Sequence, residues 1–331
     1  MSEAIQLDPV DQVKITTLFE NLVDRTTAGG GAIERLDVRA DNMVVSNLLN
    51  GEMHTEFVGG HGLSMLVRLT RGGITRSVLF DAGGTPEGLV HNMDCLELKP
   101  QDWSCIVFSH GHWDHTLGLI GLRQRLGHLR FPLTLHPDAY LNRATLRPNG
   151  EVQNQLIPPS RQGLRDAGVE LIETKNPSFV VEGMALVTGQ VARTNDFETG
   201  WPAHQAIRNG VLEPDPLICD DQGLVVSLRG KGLVVLSGCG HAGIVNTVHH
   251  AQAITGIPQV HAVIGGFHLG PTFFHDRIGT VVDALVALDP AIISPAHCAG
   301  YRAACAVYQA RPDAFVQNTV GTRITMKAAP D

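Results

Sequence analysis

Five apolar runs in this chain each give way to a glycine- or proline-rich turn carrying a chemically capable side chain. Asp81 follows "SVLF", a histidine cluster follows "CIVF", Cys239 and His241 follow "GLVVL", His268 follows "AVIGG", and His297 follows "AIISP". Short apolar runs bounded by such turns read as buried strands. Loops held by a rigid sheet are where binding and catalytic groups belong. The recurrence therefore points to sheets whose strand ends converge on one site.

The densest turn lies in "FSHGHWDHTLGL", residues 108–119, with three histidines and an aspartate within six residues. In an extended segment residues two apart face the same side, so His110 and His112 can converge on one ion. A turn over 111–114 would carry Asp114 and His115 toward a second ion at a helix start. Neutral imidazoles and carboxylates suit zinc, iron or manganese. Four groups from one loop rarely complete such a site, which makes Asp81, Cys239, His241, His268 and His297 the candidate partners. Gly240 and Gly243 would let His241 approach an ion closely. Cys239 reads equally as a ligand or as a small residue packing a tight turn. His268 reads equally as a metal or substrate contact or as a core histidine.

The rest of the chain places these turns. The first third is mostly strand ("LSMLVRLT", "TRSVLF", "SCIVF"), with helical spacing at 86–93 and in "TLGLIGLRQRL". A strand around "PLTLH" and a helix from Asp138 are predicted next. The strands "FVVEGMALVTG", "GLVVSLRG" and "GLVVLSG" precede an alternation of "GIVNTVHHAQAIT", "VHAVIGG", "IGTVVDALVAL" and "AIISPAH", closed by a helix from about Ala303. Strands first and βαβα later predict two sheets with helices packed outside. Residues 142–161 and 193–221 are polar and broken by prolines, and read as irregular lids or binding loops on a single domain spanning 1–331.

Composition narrows the partners. The formal charge of -8 argues against non-specific nucleic-acid binding. No apolar run approaches the roughly 20 residues of a membrane span. The N-terminus "MSEAIQLDPVDQVK" is polar and acidic, unlike a signal peptide. The six cysteines contain no CxxC pair, so reduced thiols in the cytoplasm are expected. A homodimer is compatible with the sequence, which does not demand one.

"SHGHWDHTLGL" resembles the signature of the metallo-β-lactamase superfamily. The chain is similar to its dihydropterin-ribofuranosylaminobenzene phosphate synthase-like branch of metal-dependent hydrolases, through "HGLSMLV", "LFDAGG", "FSHGHWDH", "DDQGLVV", "LSGCGHAGIVN", "IGGFHLG" and "PAHCAG" in order. The resemblance implies an α/β (α+β) fold, a four-layer αβ/βα sandwich of two mixed sheets with helices outside and a metal site at one edge. It implies that His110 and His112 hold a first metal, and Asp114, His115 and His297 a second. Asp81 would orient a ligand histidine. The chain departs from the pattern at Cys239, which stands in "SGC" where many relatives have an aspartate in a "TGD"-like turn. The histidine that usually completes the first site has no clear counterpart; His241, or more weakly His204, would substitute. A thiolate at Cys239 would favour zinc or iron over magnesium.

Around this centre, His61, Trp113 and Trp201 are candidate substrate contacts, the tryptophans as walls for a flat ring. Arg143, Arg147, Arg161 and Arg193 are candidates to meet an anionic substrate. Asp220 and Asp221 are expected to cap a turn, or to hold Arg193 or a ligand histidine. Cys298, next after His297 on a strand end, is expected to point away. A metal here would lower the pKa of water from about 15.7 toward 7, with Asp114 ligating and orienting that water and Asp81 and His268 in supporting catalytic roles. The expected activity is metal-dependent hydrolysis of a small anionic ester, phosphoester, lactone or similar metabolite, using one or two zinc ions, or iron or manganese. The rival readings are a transferase joining a pterin to an aryl riboside phosphate, and an iron-binding redox or non-catalytic protein.

Overall fold

Apolar side chains alternate along each strand and so sort into three separate clusters. Along Ser64–Arg71, Met65, Val67 and Leu69 face a central cluster while Leu66 turns to an outer one. Along Gly232–Ser237, Val234 and Leu236 join the same central cluster, whereas Leu233 and Val235 turn to the third. Strands buried on both faces are the rule where helices cover a sheet.

The structure, a computed structural model, describes residues 4–39, 42–99 and 103–330. Eight strands form the first sheet, in the order Glu170–Glu173, Pro132–Leu135, Cys105–Val107, Ile74–Phe80, Ser64–Arg71, Gln12–Phe19, Thr322–Lys327, Ile33–Arg35. Six form the second: Ser178–Val180, Ala185–Val187, Gly223–Leu228, Gly232–Ser237, Val260–Gly266, Ile292–Ala296. Helices Gly88–Cys95 and Gly118–Leu126 cover the outer face of the first sheet. Helices Ile244–Thr255, Ile278–Ala287 and Gly300–Ala310 cover that of the second. Both sheets mix parallel and antiparallel pairs. This is the expected four-layer αβ/βα sandwich. Among the described residues, no helix is long and apolar enough to cross a membrane.

Two expectations are corrected. The helix from Asp138 is a single 3-10 turn, Pro137–Tyr140, after which Leu141 is extended. The chain leaves that turn to form strand Arg143–Leu146, so pairing with distant segments overrides local helical preference. The two proline-broken segments also contain strands. Val152–Leu156, Arg143–Leu146, His204–Arg208 and Val211–Pro214 pair, in that order, as a small third sheet. Two of the pairings are local hairpins, 143–146 with 152–156 and 204–208 with 211–214, and the pairing that joins them, 143–146 with 204–208, spans a large sequence gap.

Candidate metal centre

Parallel strands of both sheets end at the same edge, and that is where the candidate residues meet. Asp81 follows strand Ile74–Phe80 with a left-handed φ of 58°, as do His268 (46°) and His297 (49°) at other strand ends. Non-glycine residues rarely adopt this conformation, and they cluster at functional sites. Asp81 is fully buried. It accepts hydrogen bonds from the Ser109 amide, the Ser109 hydroxyl and His115 Nδ1, each at 2.7 Å.

These contacts set the histidine tautomers. A carboxylate only accepts, so His115 donates its Nδ1–H to Asp81 and turns Nε2 toward Asp114 and Cys239. The Ser109 hydroxyl gives its proton to Asp81, so it accepts from His110 Nδ1 at 2.9 Å, and His110 presents a bare Nε2. Asn21 Oδ1 accepts a proton from Gly62 N and lies 2.9 Å from His297 Nδ1, leaving His297 Nε2 bare. Anchoring one ring nitrogen while freeing the other is how metal-binding histidines are oriented.

The bare atoms form two neighbouring sets. Asp114 Oδ2 lies 3.2 Å from His297 Nε2 and 3.6 Å from His115 Nε2, and Cys239 Sγ lies 3.3 Å from His115 Nε2. The ligand atoms of Asp114, His115, Cys239 and His297 are all within 4.8 Å of one another, as are those of His110, His112 and His241. Gly111, between two ligand histidines, donates its N–H to Asp220 Oδ2 at 2.9 Å. A Cβ there would collide with the Ala139 carbonyl, so only glycine lets the loop lie this close.

The donors fit a transition-metal cation. Nε2 of His110, His112 and His297 and both ring nitrogens of His241 are buried without a hydrogen-bond partner. Buried polar atoms are rarely left so. Burial pushes His110, His112 and His241 well below the ordinary imidazole range, and His297 to about 4, so their lone pairs are free. Burial alone would raise the Asp114 carboxyl, but His115 and His297 outweigh it and hold Asp114 ionised. Burial likewise opposes charge on His115, yet Asp114 and Asp81 raise it to about 9. The same negative field attracts a cation to its Nε2. Burial, then Cys298, holds the Cys239 thiol well above its ordinary range, so a cation is what would make it a thiolate. Nitrogen, oxygen and sulfur donors together match zinc or iron.

The remaining candidates divide. His61, with a side chain 57% exposed, stands at the rim with Nε2 3.3 Å from Asp114 Oδ2. Trp113 opens a mostly apolar cleft of about 580 Å³, also lined by Arg123, Pro158 and Pro159. His268 and His204 lie beside His241, ring centroids 4.0 and 5.3 Å away. Trp201 does not line that cleft; it packs on His204 and Phe274. Arg193 donates to the carbonyls of His241 and Leu217, which makes it a brace for the His241 turn. Arg143 is buried between Asp215 and Asp220, and Arg147 and Arg161 pair with Gln153 and Glu173. Asp220 thus holds Arg143 and the Gly111 amide, while Asp221 accepts from the Ala242 amide. Cys298 does not point away, because left-handed His297 breaks the strand alternation. Its thiol turns back to the Cys239 carbonyl at 2.9 Å, through space left by Gly266, which has no Cβ.

Sequence reasoning missed Ser109, Asn21 and Glu20. Glu20 accepts the His297 amide at 2.8 Å. Ser109 could have been suspected from its place beside His110. Nothing local marks Glu20 and Asn21 except that two polar residues end an apolar strand.

Comparisons with known proteins agree with this geometry. Residues 58–297 match the family model described as the metallo-beta-lactamase superfamily. The chain is 29% identical over 270 residues to 7,8-dihydropterin-6-methyl-4-(beta-D-ribofuranosyl)-aminobenzene-5'-phosphate synthase of Methanocaldococcus jannaschii, covering 80% of this chain and 90% of that protein. It is 27% identical over 264 residues to an uncharacterised protein of the same organism, covering 78% and 92%. Its fold resembles a solved metal-dependent hydrolase of the beta-lactamase superfamily, with a TM-score of 0.67 and 20% identity over 96% of this chain and all of the other.

Proposed function

Because this chain belongs to the metallo-beta-lactamase superfamily, we propose that it is a metal-dependent hydrolase of a small anionic metabolite. The observation that carries the reading is the pair of donor sets whose bare nitrogens converge beside ionised Asp114. Zinc, or iron or manganese, held there would acidify water and polarise an ester, lactone or phosphoryl oxygen. Asp114 would orient and accept the proton of that water. His61 would meet the substrate at the rim, and Asp81 and Ser109 keep His115 and His110 in their ligand tautomers. In this reading the chain acts in the cytoplasm as a single domain, alone or as a homodimer.

A second reading, coupling of a pterin to an aryl riboside phosphate, is favoured by the likeness to the archaeal synthase. It also draws on the Trp113 cleft, whose volume is in the range of small-molecule sites.

The test is a panel of chromogenic esters, lactones and phosphodiesters, assayed with zinc-, iron- and manganese-loaded protein and with His110→Ala and His297→Ala. Hydrolysis that both variants abolish supports the first reading. A metal-loaded protein that cleaves nothing in the panel but joins a dihydropterin to ribofuranosylaminobenzene 5'-phosphate overturns it in favour of the second.

A further inference from the structure

Three histidines of the centre share one arrangement, Nδ1 anchored and Nε2 turned into the centre: His110 on Ser109, His115 on Asp81, His297 on Asn21. His241 and His268 break it. Both ring nitrogens of each are buried with no hydrogen-bond partner, and His204 adds a bare, buried Nδ1. The first donor set uses one nitrogen of His241 and none of His204 or His268. Buried imidazoles left this way imply a ligand not yet accounted for.

The ligand atoms of His204, His241 and His268 lie within 4.8 Å of one another. A cavity of about 30 Å³, lined in part by Gly240, His241, His268 and Phe274, reaches two of the three, His241 and His268. That is room for a single ion or water and far too little for a ring or a substrate group. Outside, Trp201 packs 4.8 Å from His204 and Phe274 5.1 Å from His268, ring centroid to ring centroid.

We propose that His204, His241 and His268 form a further position for a divalent transition-metal ion, zinc foremost, alternative to the position at His110, His112 and His241. Three imidazoles are a donor set that zinc accepts, water taking the fourth place. Both positions need His241, and a neutral imidazole has one lone pair to give, so an ion in one competes with an ion in the other. The first position is built from strand ends of the sandwich, whereas this one includes His204 of the small third sheet. No electron moves when the ion binds. The proposal rests on reading His110, His112 and His241 as metal donors.

The experiment uses zinc chloride as the only probe. Wild type, H110A/H112A and H110A/H112A/H204A/H268A are compared by metal content and by anomalous diffraction at the zinc edge. The expected result is a zinc peak among His204, His241 and His268 in the double variant, lost in the quadruple variant. If the double variant does not fold, His112→Gln is measured the same way. An empty or water-filled trio in the double variant, with zinc present in wild type, overturns the proposal and leaves the proposed function standing. Wild type that takes up no zinc overturns both.

Discussion

A single carboxylate serves both donor sets. Asp81 holds His115 directly and His110 through Ser109, from a left-handed backbone conformation at the end of a strand. Asparagine tolerates that conformation but brings an amide where two acceptor contacts converge on Oδ2. Asp81→Asn should therefore keep the fold and weaken zinc binding by about 10–100-fold. Competition with a chelating dye measures the affinity, with thermal melting as the control for folding. Unchanged zinc affinity would show that Asp81 does not orient the ligands. Asp81 was recognisable in the sequence from its place after "SVLF", but its second client was not, because that contact runs through a serine with no signature of its own.

At the scale of elements, the loop carrying His110 and His112 is pinned from the small sheet. Arg143, on strand Arg143–Leu146, is almost fully buried and contacts Asp220 at 2.6 and 3.2 Å and Asp215 at 2.7 Å. Asp220 in turn holds the Gly111 amide. Arg143→Met would leave buried Asp220 with the Gly111 amide and buried Asp215 with Arg208, and breaking a buried pair in this way costs about 3–5 kcal/mol. Urea denaturation should show a loss of that size, accompanied by weaker metal retention at His110 and His112. A variant as stable as wild type would mean that the small sheet does not brace the loop. The sequence suggested a different role for Arg143, as an exposed contact for an anion. An arginine in a polar segment carries no local sign of the strands and carboxylates that will enclose it.

Across the whole molecule, the concentration of buried neutral imidazoles makes the metal-free protein sensitive to acid. His110, His112, His204, His241, His268 and His297, six groups, are all pushed below the ordinary value of 6.5 by burial. When unfolded they take up protons below about 6.5, so the unfolded state binds more protons and stability falls as pH drops from 6.5 toward 4. Glu20 and Asp221, raised to about 7 by burial, work in the opposite direction over much of this window. Two groups do not offset six. His115, raised to about 9 by Asp114 and Asp81 against the effect of burial, contributes stability that is lost as pH rises through 9. Chelated protein should thus be most stable near neutrality, with a urea midpoint that falls between pH 7 and pH 5. A midpoint that holds or rises over that interval would contradict the neutral-imidazole description of the centre.

By itself, the sequence determined most strands of the sandwich, though not Ile33–Arg35, Glu170–Glu173 or Thr322–Lys327, the helices that cover it and the turns that carry its chemistry. Each of these is written in contiguous residues: alternation with period two, leucine spacing along a helix, and "HGHWDH" directly after an apolar run. Tertiary structure decided which turns meet. Asp114 and His115 of the first sheet come within reach of Cys239 and His297 of the second only when two sheets close on each other, and no local pattern records that closure. It also decided the tautomers, through Ser109 and Asn21, and the direction of Cys298, through the left-handed turn at His297. The third sheet formed where the sequence showed only polar, proline-broken chain: two short hairpins, one in each such segment, are joined by a pairing between residues far apart in sequence that neither segment records.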